Sequence, residues 1–94
     1  MKLVVSEAAK NEFDEIIQYY RQETTFVSSL FVIEAIHSLK IIRKFPSSGR
    51  FFYKKHQRFV VKGFPYYIVY QVLQDSILVT AFAHQHRRPN YWAS

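Results

Sequence analysis

No cysteine occurs among the 94 residues. Disulfides and a thiolate zinc site are thereby excluded, and the composition fits a reducing cytoplasm. Glycine is down to two residues and proline to three, and no linker, internal repeat or low-complexity segment divides the chain. No apolar run approaches the roughly 18 residues of a membrane span. The apolar stretch in Met1-Lys2-Leu3-Val4-Val5-Ser6-Glu7 is also too short for a signal peptide. Acids are scarce in one half only: residues 49–94 hold seven Lys/Arg against the single Asp75, whereas residues 1–48 hold six of each sign. The net charge of +6 therefore belongs entirely to the second half.

Aromatics make up 18% of the residues, far more than a disordered chain carries, so the chain should fold. Its length suits one domain, residues 1–94, small enough to be marginal or to lean on a partner. A pI near 9.7 favours a polyanionic partner, whether nucleic acid, an acidic protein or a membrane surface.

Lys2–Val5 reads as a short strand, and Ser6 as the N-cap of a helix with Glu7 in its first turn. Phe13, Ile16, Ile17 and Tyr20 recur at helical spacing over roughly 15 residues. Thr24 and Thr25 break the pattern and cap a second helix carrying Phe26, Leu30, Ile33, Ile36, Leu39 and Ile42 or Phe45. Phe45-Pro46 ends it, because the residue before proline is driven out of the helical region. The short link predicts a helical hairpin.

Ser47-Ser48-Gly49 marks the change from helix to strand. Beyond it the period becomes two. Phe59, Val61 and Gly63 alternate with Arg58, Val60 and Lys62. Tyr66, Ile68, Tyr70 and Val72 share one face of the next strand, and Tyr67, Val69, Gln71 and Leu73 the other. Gln74-Asp75-Ser76 turns into a last strand over 77–83. The order is β-α-α-β-β-β, an α+β fold with a helical hairpin packed on a largely antiparallel sheet. The pattern predicts that Phe13, Ile17, Leu30, Ile33 and Leu39 bury against Ile68, Tyr70, Val79 and Ala81. Directly after the last strand comes a basic, aromatic tail, His84-Gln85-His86-Arg87-Arg88-Pro89-Asn90-Tyr91-Trp92, whose side chains suit phosphate binding, proton transfer or base stacking.

Four features then coincide: the strand followed by a helical hairpin; Phe45-Pro46-Ser47-Ser48-Gly49-Arg50; Phe64-Pro65-Tyr66-Tyr67-Ile68-Val69-Tyr70; and His84-x-x-Arg87-x-Pro89-x-Tyr91-Trp92. Together they resemble the ParE/RelE superfamily of toxins from type II toxin–antitoxin pairs, most of all its ParE, or plasmid stabilisation, branch. The resemblance implies a cytoplasmic toxin held in a hetero-oligomer by a cognate antitoxin, with no cofactor. It leaves the target open. ParE-like members inhibit DNA gyrase; RelE-like members are ribonucleases, most of which cut messenger RNA on the ribosome without a metal.

Metal-free RNA cleavage needs a base, an acid and cations for the developing charge. His84, His86, Arg87 and Tyr91 are the catalytic candidates on that reading. Lys54, Lys55, Arg58, Arg87, Arg88 and Trp92 are the candidates for contact with the target or with nucleic acid. Each has an ordinary alternative. His84 ends an apolar strand and suits a structural role. His84 and His86 lack a third metal ligand nearby, so no metal site is expected. Arg87 and Arg88 suit solvent or the antitoxin, and the aromatic and basic loop over 51–58 suits an edge that an acidic antitoxin covers. His37 lies within the second helix with no partner in view.

Overall fold

The computed structural model describes residues 1–87 and 91–93. Strand β1 (Lys2–Val5) leads into helix α1 (Glu7–Glu23) and helix α2 (Thr25–Lys44). A 3-10 turn over Pro46–Ser48 follows, then β2 (Arg50–Tyr53), β3 (His56–Val60), β4 (Tyr66–Val72), β5 (Ser76–His84) and a last 3-10 turn, Tyr91–Ala93. The sheet order is β1-β5-β4-β3-β2. β1 runs parallel to β5, and the other neighbours are antiparallel. This is the expected α+β arrangement, with one strand more than foreseen. Residues 51–58 are not a loop: they form most of the β2–β3 hairpin, turning at Lys54-Lys55.

Local chemistry sets the helix ends. Ser6 Oγ accepts the Ala9 N–H at 3.1 Å and caps α1. Thr24 serves both helices: its N–H donates to the Tyr20 carbonyl at 3.0 Å, and its Oγ1 accepts the Val27 N–H at 3.0 Å. A single residue therefore closes one helix and opens the next. Pro46 stops α2 as expected. Beyond it, Tyr70 Oη accepts the Gly49 N–H at 2.8 Å and donates to the Pro46 carbonyl at 2.7 Å. Gln57 Nε2 donates to the Gly49 and Pro46 carbonyls at 2.9 and 3.0 Å. The Pro46–Ser48 turn is thus riveted to the sheet by two buried side chains, Gln57 and Tyr70.

The helices cover one face of the sheet. Ala9, Ile16, Phe31, Ala35 and Ile42 pack against Ile68, Tyr70, Ile77, Val79 and Phe82. Phe13, Ile17 and Leu39 join this core as expected. Leu30 and Ile33 do not. Ile33 is 61% exposed and Phe26 75% exposed, with Leu30 and Ile36 also on the outside. The buried stripe of α2 is Ser28, Phe31, Ala35, Ser38 and Ile42. Small residues on that stripe let the helix lie close to its neighbours. The two serine hydroxyls satisfy themselves on their own helix, Ser28 on the Thr25 carbonyl at 2.9 Å and Ser38 on that of Glu34 at 2.8 Å. α2 is also long and apolar enough to cross a membrane by length and composition, against expectation, a test that a core helix passes too.

Ala81 is the other correction. Val69 pairs with Ala81, yet Tyr70 pairs with Val79, so Thr80 is an extra residue in β5. This bulge reverses the alternation. Ile77 and Val79 face the helices, whereas Ala81 and Ala83 join Val69 on the far face.

Candidate functional site

The far face of the sheet carries a cleft of about 100 Å³. Val69 and Ala83 are among the small residues of its floor, and Phe52, Arg58, Tyr67 and Trp92 stand around it. Parity explains the set. Tyr67 and Val69 are two of the residues of β4 that point away from the helices, and the Thr80 bulge brings Ala83 to the same side. Phe52 has no partner across the β2–β3 pair, where the register shifts. Such an irregularity re-aims a side chain, and the Phe52 ring lies against Arg58. The Arg58 guanidinium is held between two rings, 4.9 Å from the centre of Phe52 and 4.5 Å from that of Tyr67.

The tail closes the other side. The Arg87 guanidinium lies 4.1 Å from the centre of the Tyr91 ring. The Tyr91 hydroxyl donates to one carboxylate oxygen of Glu12 on α1, and the other oxygen accepts the Phe82 N–H at 3.1 Å. β1 pairs with β5 only as far as Val79, so Glu12 caps a backbone donor that has no strand beside it. Burial raises the Tyr91 phenol well above its ordinary pKa; the hydrogen bond and charge of Glu12 add to this, and Arg87 opposes it. Trp92 packs on Phe52 with ring centres 5.3 Å apart and reaches His56 at 6.1 Å.

His84 lines the cleft. Its Nδ1 accepts the His86 N–H at 3.0 Å, so that nitrogen carries a lone pair. Its ring stands edge-on to Tyr66. The same turn is closed by the Arg87 N–H on the His84 carbonyl at 2.9 Å.

The structure therefore brings Arg58, His84, Arg87, Tyr91 and Trp92 together at one cleft. His86 is exposed on the turn beside it. Lys54 and Lys55 stand apart, exposed at the tip of the β2–β3 hairpin, with Lys54 in the left-handed region at φ 49°. Arg88 lies outside the described residues. Among the described residues no three His, Cys, Asp or Glu side chains gather as a metal site. Sequence reasoning missed Glu12, Phe52 and Tyr67 as parts of the site. The interleaving of aromatic and basic residues over 51–58 was a usable signal for Phe52; nothing local marks Glu12.

A second surface lies on the helical side. The outer stripe of α2 exposes Phe26, Leu30, Ile33 and Ile36. Ile36 and Leu39 also line an apolar groove beside β1, rimmed by Lys2, Lys40 and Arg43. The groove is apolar at its base and cationic at its rim.

A family model described as the ParE toxin of the type II toxin–antitoxin system parDE matches residues 3–89. One solved structure similar to this chain is a chromosomal ParDE toxin–antitoxin system from P. aeruginosa. The TM-score is 0.81 at 15% sequence identity, over 89% of this chain and 95% of that one. At that identity the likeness speaks for the fold. No curated protein matches the chain in sequence.

Proposed function

The chain belongs to the ParE toxin family of type II toxin–antitoxin systems, and from that premise we propose that it inhibits DNA gyrase by occupying it. On this reading it acts in the cytoplasm, and a cognate antitoxin neutralises it. The observation that carries the binding mode is the Tyr91–Glu12 hydrogen bond. It commits the Tyr91 phenol, the one named as a catalytic candidate, to a structural carboxylate. The Nδ1 lone pair of His84 is likewise spent on the turn, and both guanidiniums rest on rings. A phosphoryl-transfer site needs an acid and a base free to exchange protons. On this reading Tyr91 and the Nδ1 of His84 serve the fold, and the cleft acts through shape and charge.

The antitoxin's place on this reading is the apolar outer stripe of α2 and the groove beside β1. Exposed large apolar residues in such a row mark an interaction surface. Lys2, Lys40 and Arg43 at the rim favour an acidic segment. Binding there would stabilise the folded toxin by mass action.

A second reading, ribosome-dependent cleavage of messenger RNA, draws on one observation: Arg58, His84 and Arg87 line one cleft. Expression of the chain alone in growing cells, with and without the product of the adjacent gene, tests both. Growth arrest relieved by that product, with a co-purifying complex and intact messenger RNA in primer extension, supports the proposal. Discrete RNA cuts that vanish in His84→Ala or His86→Ala support the second reading. Harmless expression with no complex removes both.

A further inference from the structure

We propose that the far-face cleft is a receptor for a carboxylate, presented by an acidic segment of a protein partner and gripped by the guanidiniums of Arg58 and Arg87. The proposal deepens the binding mode above by naming what enters the cleft. It does not depend on which protein supplies the carboxylate.

Arg58 is the starting point. It is half-buried, and its contacts among the described residues are the Phe52 and Tyr67 rings, with no acid against it. The rings offset part of the cost of removing the cation from water. They leave its N–H donors without a hydrogen-bond partner among the described residues. A guanidinium carries those donors in a planar fork, a geometry that matches a two-oxygen anion. Arg87 is exposed and rests on a single ring, Tyr91, which is itself pinned by Glu12. Both guanidiniums are thus braced on rings before any ligand arrives, which lowers the ordering cost of binding.

Size and surroundings favour a carboxylate side chain over a nucleic-acid strand. About 100 Å³ accommodates a carboxyl group and its methylene stem, with Val69 and Ala83 as an apolar floor. A strand is held by stacking its bases on aromatic rings. Here Phe52, Tyr67 and Tyr91 each already carry a guanidinium, and Trp92 packs against Phe52 and Tyr91. The cationic second half of the chain would steer an acidic segment toward this face.

Trp92 is the single tryptophan of the chain and lines the cleft, so its fluorescence reports on occupancy. The folded full chain is titrated with a short capped peptide rich in glutamate and leucine, the same peptide with glutamine for glutamate, inorganic phosphate, and a single-stranded oligonucleotide. The expected result is a saturable response to the acidic peptide, weakened about tenfold or more by glutamine. Arg58→Lys and Arg87→Lys keep the charge but lose the fork, and each should weaken binding by about tenfold. Circular dichroism establishes that each variant is folded; if Arg58→Lys is not, Arg87→Lys carries the same judgement. Equal binding of the glutamine peptide, no response to the acidic peptide, or unchanged affinity in a folded lysine variant overturns the proposal. So does tighter binding of the oligonucleotide, competed by phosphate, which would make the cleft a nucleic-acid site. If gyrase is unaffected while the peptide binds as described, the receptor stands and the target falls. Inhibited gyrase with an indifferent peptide gives the reverse.

Discussion

Glu12 and Tyr91 meet across 79 positions of sequence, and that contact ties the C-terminal turn to the first helix. One carboxylate holds both the Tyr91 hydroxyl and the Phe82 N–H. Glu12→Ala should therefore do two things. It should lower unfolding stability by about 1.5–3 kcal/mol, the usual worth of hydrogen bonds to a charged group. It should also loosen the turn bearing Trp92, whose fluorescence should shift toward that of an exposed indole. Denaturant titration followed by Trp92 emission and by far-UV circular dichroism checks both effects. A stable variant with native emission would mean that the tail is held by its ring packing alone.

Alkaline pH probes the same contact. The phenols of Tyr20, Tyr66, Tyr70 and Tyr91 are all raised, with burial the main cause in each case. A raised folded-state pKa means that the native chain holds its proton longer than the unfolded chain. The stability this supplies is complete below the unfolded value of about 10 and is lost as pH rises beyond it. Unfolding free energy measured against pH should fall above about pH 10. Tyr91→Phe should make that decline shallower, and an identical slope would separate Tyr91 from the titration.

Gly49 should tolerate no side chain. A Cβ there would stand 2.8 Å from Tyr70 Cε1 and 2.9 Å from the Arg58 carbonyl oxygen. Gly49→Ala should cost about 1–3 kcal/mol through overpacking. Tyr70→Phe should cost about 1–3 kcal/mol, because it strands the buried Gly49 N–H. The two lie in contact, so the double variant should lose less than the sum. Strict additivity in thermal unfolding would contradict the shared contact.

The two stripes of α2 should respond in opposite ways. Ile42 is wholly buried, and Ile42→Ala should cost about 2–5 kcal/mol. Ile33→Ser should stay within about 0.5 kcal/mol of the parent, as surface changes do. It should instead weaken co-purification with the adjacent gene product. A large loss of stability in Ile33→Ser alone would return that residue to the core.

That contrast shows where the sequence stops being readable. The caps at Ser6 and Thr24 and the stop at Pro46 are local, and they were legible. α2 is apolar nearly all round, so periodicity offers two stripes, and large residues drew the reading to the wrong one. What decides is the close approach that Ser28, Ala35 and Ser38 permit, which depends on the partner elements. The Thr80 bulge changes the side of Ala81 without any glycine or proline to announce it. Lys54-Lys55 turns a hairpin without the residues that usually mark one. At the site, Arg58, His84, Arg87, Tyr91 and Trp92 were legible as chemistry. Their gathering into one cleft was not, because Glu12 and Phe52 arrange it from distant positions.

The most direct measurement is supercoiling by purified DNA gyrase against increasing amounts of the folded chain, with Arg58→Lys, Arg87→Lys and His86→Ala beside it. Dose-dependent inhibition is expected, weakened about tenfold by either lysine variant and kept by His86→Ala. Untouched supercoiling at concentrations that arrest growth, together with cut messenger RNA, would contradict it.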